Sequence, residues 1–143
     1  MTAAQRPADE VRVRDIMTTD PRTIDRNQTL DVADALISGL RVRHLPVVEG
    51  ARVVGVLSQR DLFQAALAST LGYGEIGRAR VLKTIAVKEI MSEPPITVDA
   101  GAAVGEAARI ILSKKIGCLP VLHRGSLVGL VTESDLIRHA YGT

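Results

Sequence analysis

The chain of 143 residues has no tryptophan, one cysteine and only three aromatic side chains, Phe63, Tyr73 and Tyr141. So few rings cannot build the stacking platforms on which single strands and RNA are read. A planar ligand would have to lie between aliphatic side chains. The lone Cys118 excludes an internal disulfide, and with three scattered histidines it offers no zinc-ligand spacing, so no structural metal is expected. No apolar run approaches the roughly 18 residues that a membrane span needs. The first ten residues, MTAAQRPADE, lack the apolar stretch of a signal peptide. These absences predict a soluble, cytoplasmic protein without a membrane partner. An excess of one charge is missing as well. The net charge is +2, with 18 Lys and Arg interleaved among 16 acids, which argues against nucleic acid as a partner. No P-loop, H-E-x-x-H or G-x-S-x-G sequence occurs, so the expected role is not enzymatic.

What the chain does contain is itself, twice. A shift of 74 positions lays VRVRDIMTTDPRTID, from Val11, on IAVKEIMSEPPITVD, from Ile85, and the register then holds without a gap to Phe63 over Ile137. Identical pairs include Met17/Met91, Thr23/Thr97, Leu45/Leu119, Pro46/Pro120, Gly55/Gly129 and Asp61/Asp135. Each copy reads as β-α-β-β-α. A short extended piece, Thr23-Ile24 or Thr97-Val98, precedes a helix whose apolar face is Leu30, Ala33, Ile37 and Leu40, or Val104, Ala107, Ala108 and Ile111. The β-branched runs HLPVV and RVVGVLS, matched by CLPVL and SLVGLVT, flank glycine-containing turns and suggest paired strands, each with its Pro at a strand start or edge. A second helix opens at SQRDLFQAAL and at TESDLIRHAY. Residues 11–70 form the first copy and 85–143 the second, with a linker over 71–84 and a disordered tail over 1–10. One copy is too small to close its own core, so the pair is expected to pack as one unit.

The linker holds GYGEIG, residues 72–77, the G-x-G-x-x-G spacing of a dinucleotide site. A true fingerprint follows a strand and opens a helix. Here the preceding stretch, LFQAALASTL, is helical in pattern, so the glycines read as a helix stop and loose connector.

The chemistry-bearing pattern is G-x-x-[ST]-x-x-D at the passage from strand to helix, GVLSQRD from Gly55 to Asp61 and GLVTESD from Gly129 to Asp135. Ser58 and Thr132 suit N-caps, with the acid three residues on closing a capping box. The glycine inside an otherwise Val/Leu strand marks close approach by another backbone or a ligand. A helix N-terminus with a hydroxyl favours phosphate, and an Asp accepts hydrogen bonds from sugar hydroxyls. Phosphate and ribose together point to a nucleotide.

Tandem copies carrying DIM or EIM, then LPV, then G-x-x-[ST]-x-x-D resemble a pair of cystathionine-β-synthase (CBS) domains, a Bateman module, over about residues 11 to 140. The resemblance implies an α/β fold of two β-α-β-β-α repeats packed sheet to sheet with pseudo-two-fold symmetry. It also implies two clefts for an adenosine-containing ligand, and a homodimer that regulates an unknown protein partner, as in energy sensing. In the first cleft it implies base contacts at Thr23 and Ile24, packing by Arg43, His44, Leu45 and Pro46, phosphate at Ser58 and ribose at Asp61. Arg60 adds a fork suited to phosphate, against the alternative of a solvated helix-start residue. In the second it implies Thr97, Val98, Gly117, Cys118, Leu119, Pro120, Thr132 and Asp135.

There Gly117-Cys118 replaces Arg43-His44 and Glu133-Ser134 replaces Gln59-Arg60, so positive charge is lost and the first cleft is the expected nucleotide site. Lys114 and Lys115 read as ordinary helix C-terminal cations, His44 as a structural polar residue and Cys118 as a buried inert thiol. AMP, ADP or ATP is the favoured ligand, with S-adenosylmethionine or NAD as weaker alternatives. A ligand-free dimerisation or interaction module is the rival from a different class.

Overall fold

The protein is described by a computed structural model covering residues 11–70 and 74–142. Its elements in chain order are α1 (Val13–Ile16), β1 (Thr18–Thr19), β2 (Ile24–Asp25), α2 (Leu30–Leu40), β3 (His44–Glu49), β4 (Arg52–Ser58), α3 (Gln59–Thr70) and α4 (Gly74–Leu82). A 3-10 turn at Val87–Glu89 follows, then β5 (Val98–Asp99), α5 (Val104–Lys114), β6 (Cys118–His123), β7 (Ser126–Thr132) and α6 (Glu133–Tyr141). Both copies therefore carry the expected β-α-β-β-α order. No helix among the described residues is long and apolar enough to cross a membrane.

The compact units are cut differently from the sequence copies. One unit runs from Arg22 to Pro95, and the other joins the segment ending at Pro21 to the chain from Ile96 onward. Each unit thus takes its leading segment, with DIM or EIM, from the other copy. The same hydrogen bonds attach both segments. Leu30 N–H donates to the Ile85 carbonyl at 2.9 Å and Val87 N–H to that of Gln28 at 2.8 Å. At the equivalent positions, Val104 N–H donates to Val11 at 2.9 Å and Val13 N–H to Ala102 at 2.9 Å.

The unit from Arg22 to Pro95 has the sheet order β2-β3-β4, with β2 parallel and β4 antiparallel to β3. Its buried cluster includes Leu30, Ile37, Leu45, Val47, Leu57 and Leu62, closed by Leu82, Val87 and Met91. The other unit has the order β1-β7-β6-β5 and a cluster of Val98, Ala107, Ile111, Leu119, Val121 and Val131, with Val13 from the leading segment. Neither cluster is closed by one copy alone. Each unit closes its own cluster, and it does so by borrowing apolar residues from the other copy.

Two further expectations change. Pro46 and Pro120 stand third in β3 and β6, which are central strands and not edges. The parallel neighbour is two residues long and pairs only from Val47 or Val121 onward, so the ladder on that side does not call on the proline nitrogen. The loose connector read into GYGEIG is helical from Gly74 to Leu82, while residues 71–73 lie outside the described part. Leu82, only 2% exposed, anchors this helix in the cluster, and burial of an apolar side chain outweighs the weak helix propensity of two glycines. The tail over 1–10 also lies outside the described residues.

Candidate functional site

In the unit from Arg22 to Pro95, the expected residues gather at one end of the sheet. β2 pairs Ile24 with Val47, and the β3–β4 ladder sets His44 opposite Ser58 and Leu45 opposite Leu57. Gln59 N–H donates to the Arg43 carbonyl at 2.7 Å, so the start of α3 is tied to the entry of β3. Thr23, Arg43 and Arg60 are exposed, His44 and Ser58 are half-buried, and Ile24, Leu45 and Pro46 are buried. Two exposed arginines and a helix N-terminus thus meet along the backbone where β3 begins and α3 starts, an arrangement that favours an anion.

Asp61 and Ser58 form a capping box. Asp61 N–H donates to Ser58 Oγ at 2.9 Å, and Ser58 N–H donates to Asp61 Oδ2 over a long 3.4 Å. That weak contact is the only one recorded for this half-buried carboxylate among the described residues. A carboxylate offers about four lone-pair positions. Among the described residues, most of the accepting capacity of Asp61 is therefore unspent.

The second unit repeats the layout with different occupancy. Val98 pairs with Val121 and Cys118 with Thr132, and Glu133 N–H donates to the Gly117 carbonyl at 3.2 Å. Val98, Cys118, Leu119 and Pro120 are buried, whereas Thr97, Gly117 and Thr132 are half-buried. Asp135, 4% exposed, is the only buried charged side chain among the described residues. Its Oδ2 accepts from Thr132 N–H at 2.9 Å and Thr132 Oγ1 at 3.0 Å, and Arg138 Nη2 donates to Oδ1. Thr18 Oγ1 approaches both oxygens at 3.4 Å. Asp135 N–H returns a bond to Thr132 Oγ1 at 3.2 Å, which completes the capping box. Here the accepting capacity is spent inside the unit.

The glycine of the motif faces protein, and the ligand alternative is corrected. A Cβ on Gly55 would lie 2.7 Å from Met91 Sδ and 2.8 Å from the Ser92 carbonyl oxygen. One on Gly129 would overlap Met17 Sδ and lie 2.9 Å from the Thr18 carbonyl oxygen. Each glycine therefore seats the methionine of the borrowed DIM or EIM segment. The acid of that segment also has a local task, since Arg12 N–H donates to Asp15 Oδ2 at 3.0 Å and Ala86 N–H to Glu89 Oε2 at 2.6 Å.

Burial pushes the Cys118 thiol up from 9.0 to about 12, as an inert core cysteine requires. Lys115 caps the end of α5 in the left-handed region, φ 56°, and both it and Lys114 are exposed. The residues that sequence reasoning passed over are Thr18 and Arg138. An Asp and an Arg three apart on one helix are a readable pair, and the shift of 74 sets Arg138 over Gln64. Thr18 lies 117 positions from Asp135, and no local pattern connects them.

Residues 13–68 and 87–142 each match the CBS domain family. A CBS domain-containing protein of Dictyostelium discoideum is 34% identical over 130 residues, covering 90% of this chain and 90% of that protein. The crystal structure of the CBS domain pair of protein MJ0100 in complex with 5′-methylthioadenosine and S-adenosyl-L-methionine is similar at TM-score 0.78 and 25% identity. That likeness covers 92% of this chain and 97% of the other. The crystal structure of CBSX2 in complex with AMP is similar at TM-score 0.74 and 28% identity, covering 92% of this chain and 96% of that one. The chain belongs to the CBS domain family and carries two such domains in tandem, the make-up of a regulatory module.

Proposed function

We propose that the protein is a non-catalytic regulator that binds an adenosine-containing ligand at the sheet end formed by Thr23, Ile24, Arg43 to Pro46, Ser58, Arg60 and Asp61. The observation that carries this reading is the unspent carboxylate of Asp61 at the start of α3, beside two exposed arginines. Such a carboxylate accepts ribose hydroxyls, while Ser58, Arg60 and the helix N-terminus suit phosphate. AMP in one related structure, and 5′-methylthioadenosine with S-adenosyl-L-methionine in another, share adenosine as their common part. The cationic edge here favours AMP, ADP or ATP over S-adenosylmethionine or NAD. Regulation follows if the ligand binds one state of the protein, its dimer or its partner complex more tightly than another.

The test is thermal unfolding with AMP, ADP, ATP, NAD and S-adenosylmethionine. A ligand at 100 times its Kd stabilises by about 2.7 kcal/mol, a rise of several degrees for a chain of this length. A rise with an adenine nucleotide that vanishes in Asp61→Ala supports the reading. A flat panel on folded protein refutes it.

A second reading, a ligand-free dimerisation or interaction module, draws on a different observation. Phe63 and Leu67 on α3 are 61% and 57% exposed, and Ile137 and Tyr141 at the matching positions of α6 are 57% and 79% exposed. Apolar residues four apart on a helix share a face, and an exposed apolar face suits a protein partner. A flat ligand panel together with self-association lost in Phe63→Glu would favour this reading.

A further inference from the structure

We propose that Arg138 is an internal occupant of the second site, holding the Asp135 carboxylate so that the unit from Arg22 to Pro95 alone presents a ribose-accepting acid. The inference rests on the adenosine-binding reading above. Its basis is the different fate of two equivalent carboxylates. Asp135 is 4% exposed, and both its oxygens are engaged by Thr132, Thr18 and Arg138. For a ribose diol to reach Oδ1, the guanidinium would have to leave. A neutral hydroxyl forms a weaker bond to a carboxylate than a cation does, and a buried carboxylate stripped of its cation is costly. The exchange is unfavourable as long as Arg138 is present.

Position 64 shows what the arrangement is without the arginine. Gln64 occupies the place equivalent to Arg138, is exposed, and has no recorded bond to Asp61, which keeps its capacity. Ser92, equivalent to Thr18, has no recorded bond to Asp61 either. Arg138 itself is 55% exposed through its side chain while Asp135 is 3% exposed, so the guanidinium reaches in from solvent and is not a pillar of the core. Removing it should open Oδ1 at some cost in stability but without dismantling the unit, because Thr132 still holds Oδ2 and water can take the place of the solvent-facing guanidinium.

Isothermal titration calorimetry with AMP as the probe tests this on the whole chain, comparing wild type, Arg138→Gln and Arg138→Gln/Asp135→Ala. Arg138→Met, which keeps the aliphatic stem, serves as the second variant should the glutamine form fail to fold. The expected result is one AMP per chain in wild type, two in Arg138→Gln, and one again in the double variant. Two AMP per wild-type chain, or one in both wild type and Arg138→Gln, overturns the role of Arg138 while leaving adenosine binding intact. No binding to any form removes the adenosine-binding reading and this inference with it. Binding that emerges only in Arg138→Gln and is lost in the double variant keeps Arg138 as the occupant of the second site but overturns the claim that the unit from Arg22 to Pro95 presents the ribose-accepting acid.

Discussion

The two units are built to one plan and differ in what they do with one carboxylate. Both borrow a leading segment from the other copy, both seat its methionine on a strand glycine, and both close a capping box at the start of the second helix. Asp135 is then paired from within by Arg138 and approached by the hydroxyls of Thr132 and Thr18, whereas Asp61 accepts a single long bond among the described residues and has Arg60 and Arg43 nearby in the chain at the same end of the sheet. Shared features of the repeat thus mark what the fold requires. The departures between copies mark where the chemistry differs.

The comparison can be broken first at the cores. Leu45 and Leu119 are equivalent and fully buried, so truncating either to Ala should cost about 3 kcal/mol, with equal losses if the two units are equally packed. Chemical denaturation measures both, and a loss confined to one variant would contradict equivalence. Next come the glycines. Gly55→Ala and Gly129→Ala each drive a methyl against a methionine and a backbone carbonyl, so each should destabilise by about 2 kcal/mol. Replacing the facing methionine by Ala as well should recover only part of this, because the carbonyl remains.

An unequal effect, no larger than that at the glycines, is expected at the two acids. Asp135→Ala removes a buried carboxylate with several partners and should cost about 2 kcal/mol, whereas Asp61→Ala removes a half-buried cap and should cost about 1 kcal/mol. Equal shifts in unfolding midpoint would contradict the difference in occupancy. The smallest effect concerns Cys118, whose copy-one counterpart is His44. Because folding raises the thiol from 9.0 to about 12, its contribution to stability is complete below pH 9 and is lost as pH rises towards 12. Cys118→Ala should flatten that alkaline decline. In the native protein the buried thiol should react with disulfide reagents far more slowly than an ordinary exposed cysteine, because burial suppresses both its thiolate and its access.

Much of this is legible in the sequence because repetition supplies its own check. The helix over Leu30–Leu40, the hairpin of β3 and β4 and the cap at Ser58 each rest on local patterns that recur 74 residues later. The exchange of leading segments left no such trace. It depends on bonds such as Leu30 to Ile85, and periodicity cannot say which copy's DIM or EIM segment a strand will receive. The glycine of the motif is legible as a place of close approach, but its partner, methionine and backbone, is set by that exchange. The helix over Gly74–Leu82 escaped because its glycines outweigh its pattern until Leu82 is seen in the core. Thr18 and Arg138 escaped because the fate of a carboxylate is decided by three-dimensional neighbours.

The most direct test of the central claim is equilibrium dialysis of labelled AMP against wild type, Asp61→Ala and Asp135→Ala. If Asp61 supplies the ribose-accepting carboxylate, Asp61→Ala should lose binding at least tenfold while Asp135→Ala stays near wild type. Equal losses in both variants, or a loss in Asp135→Ala alone, would contradict it.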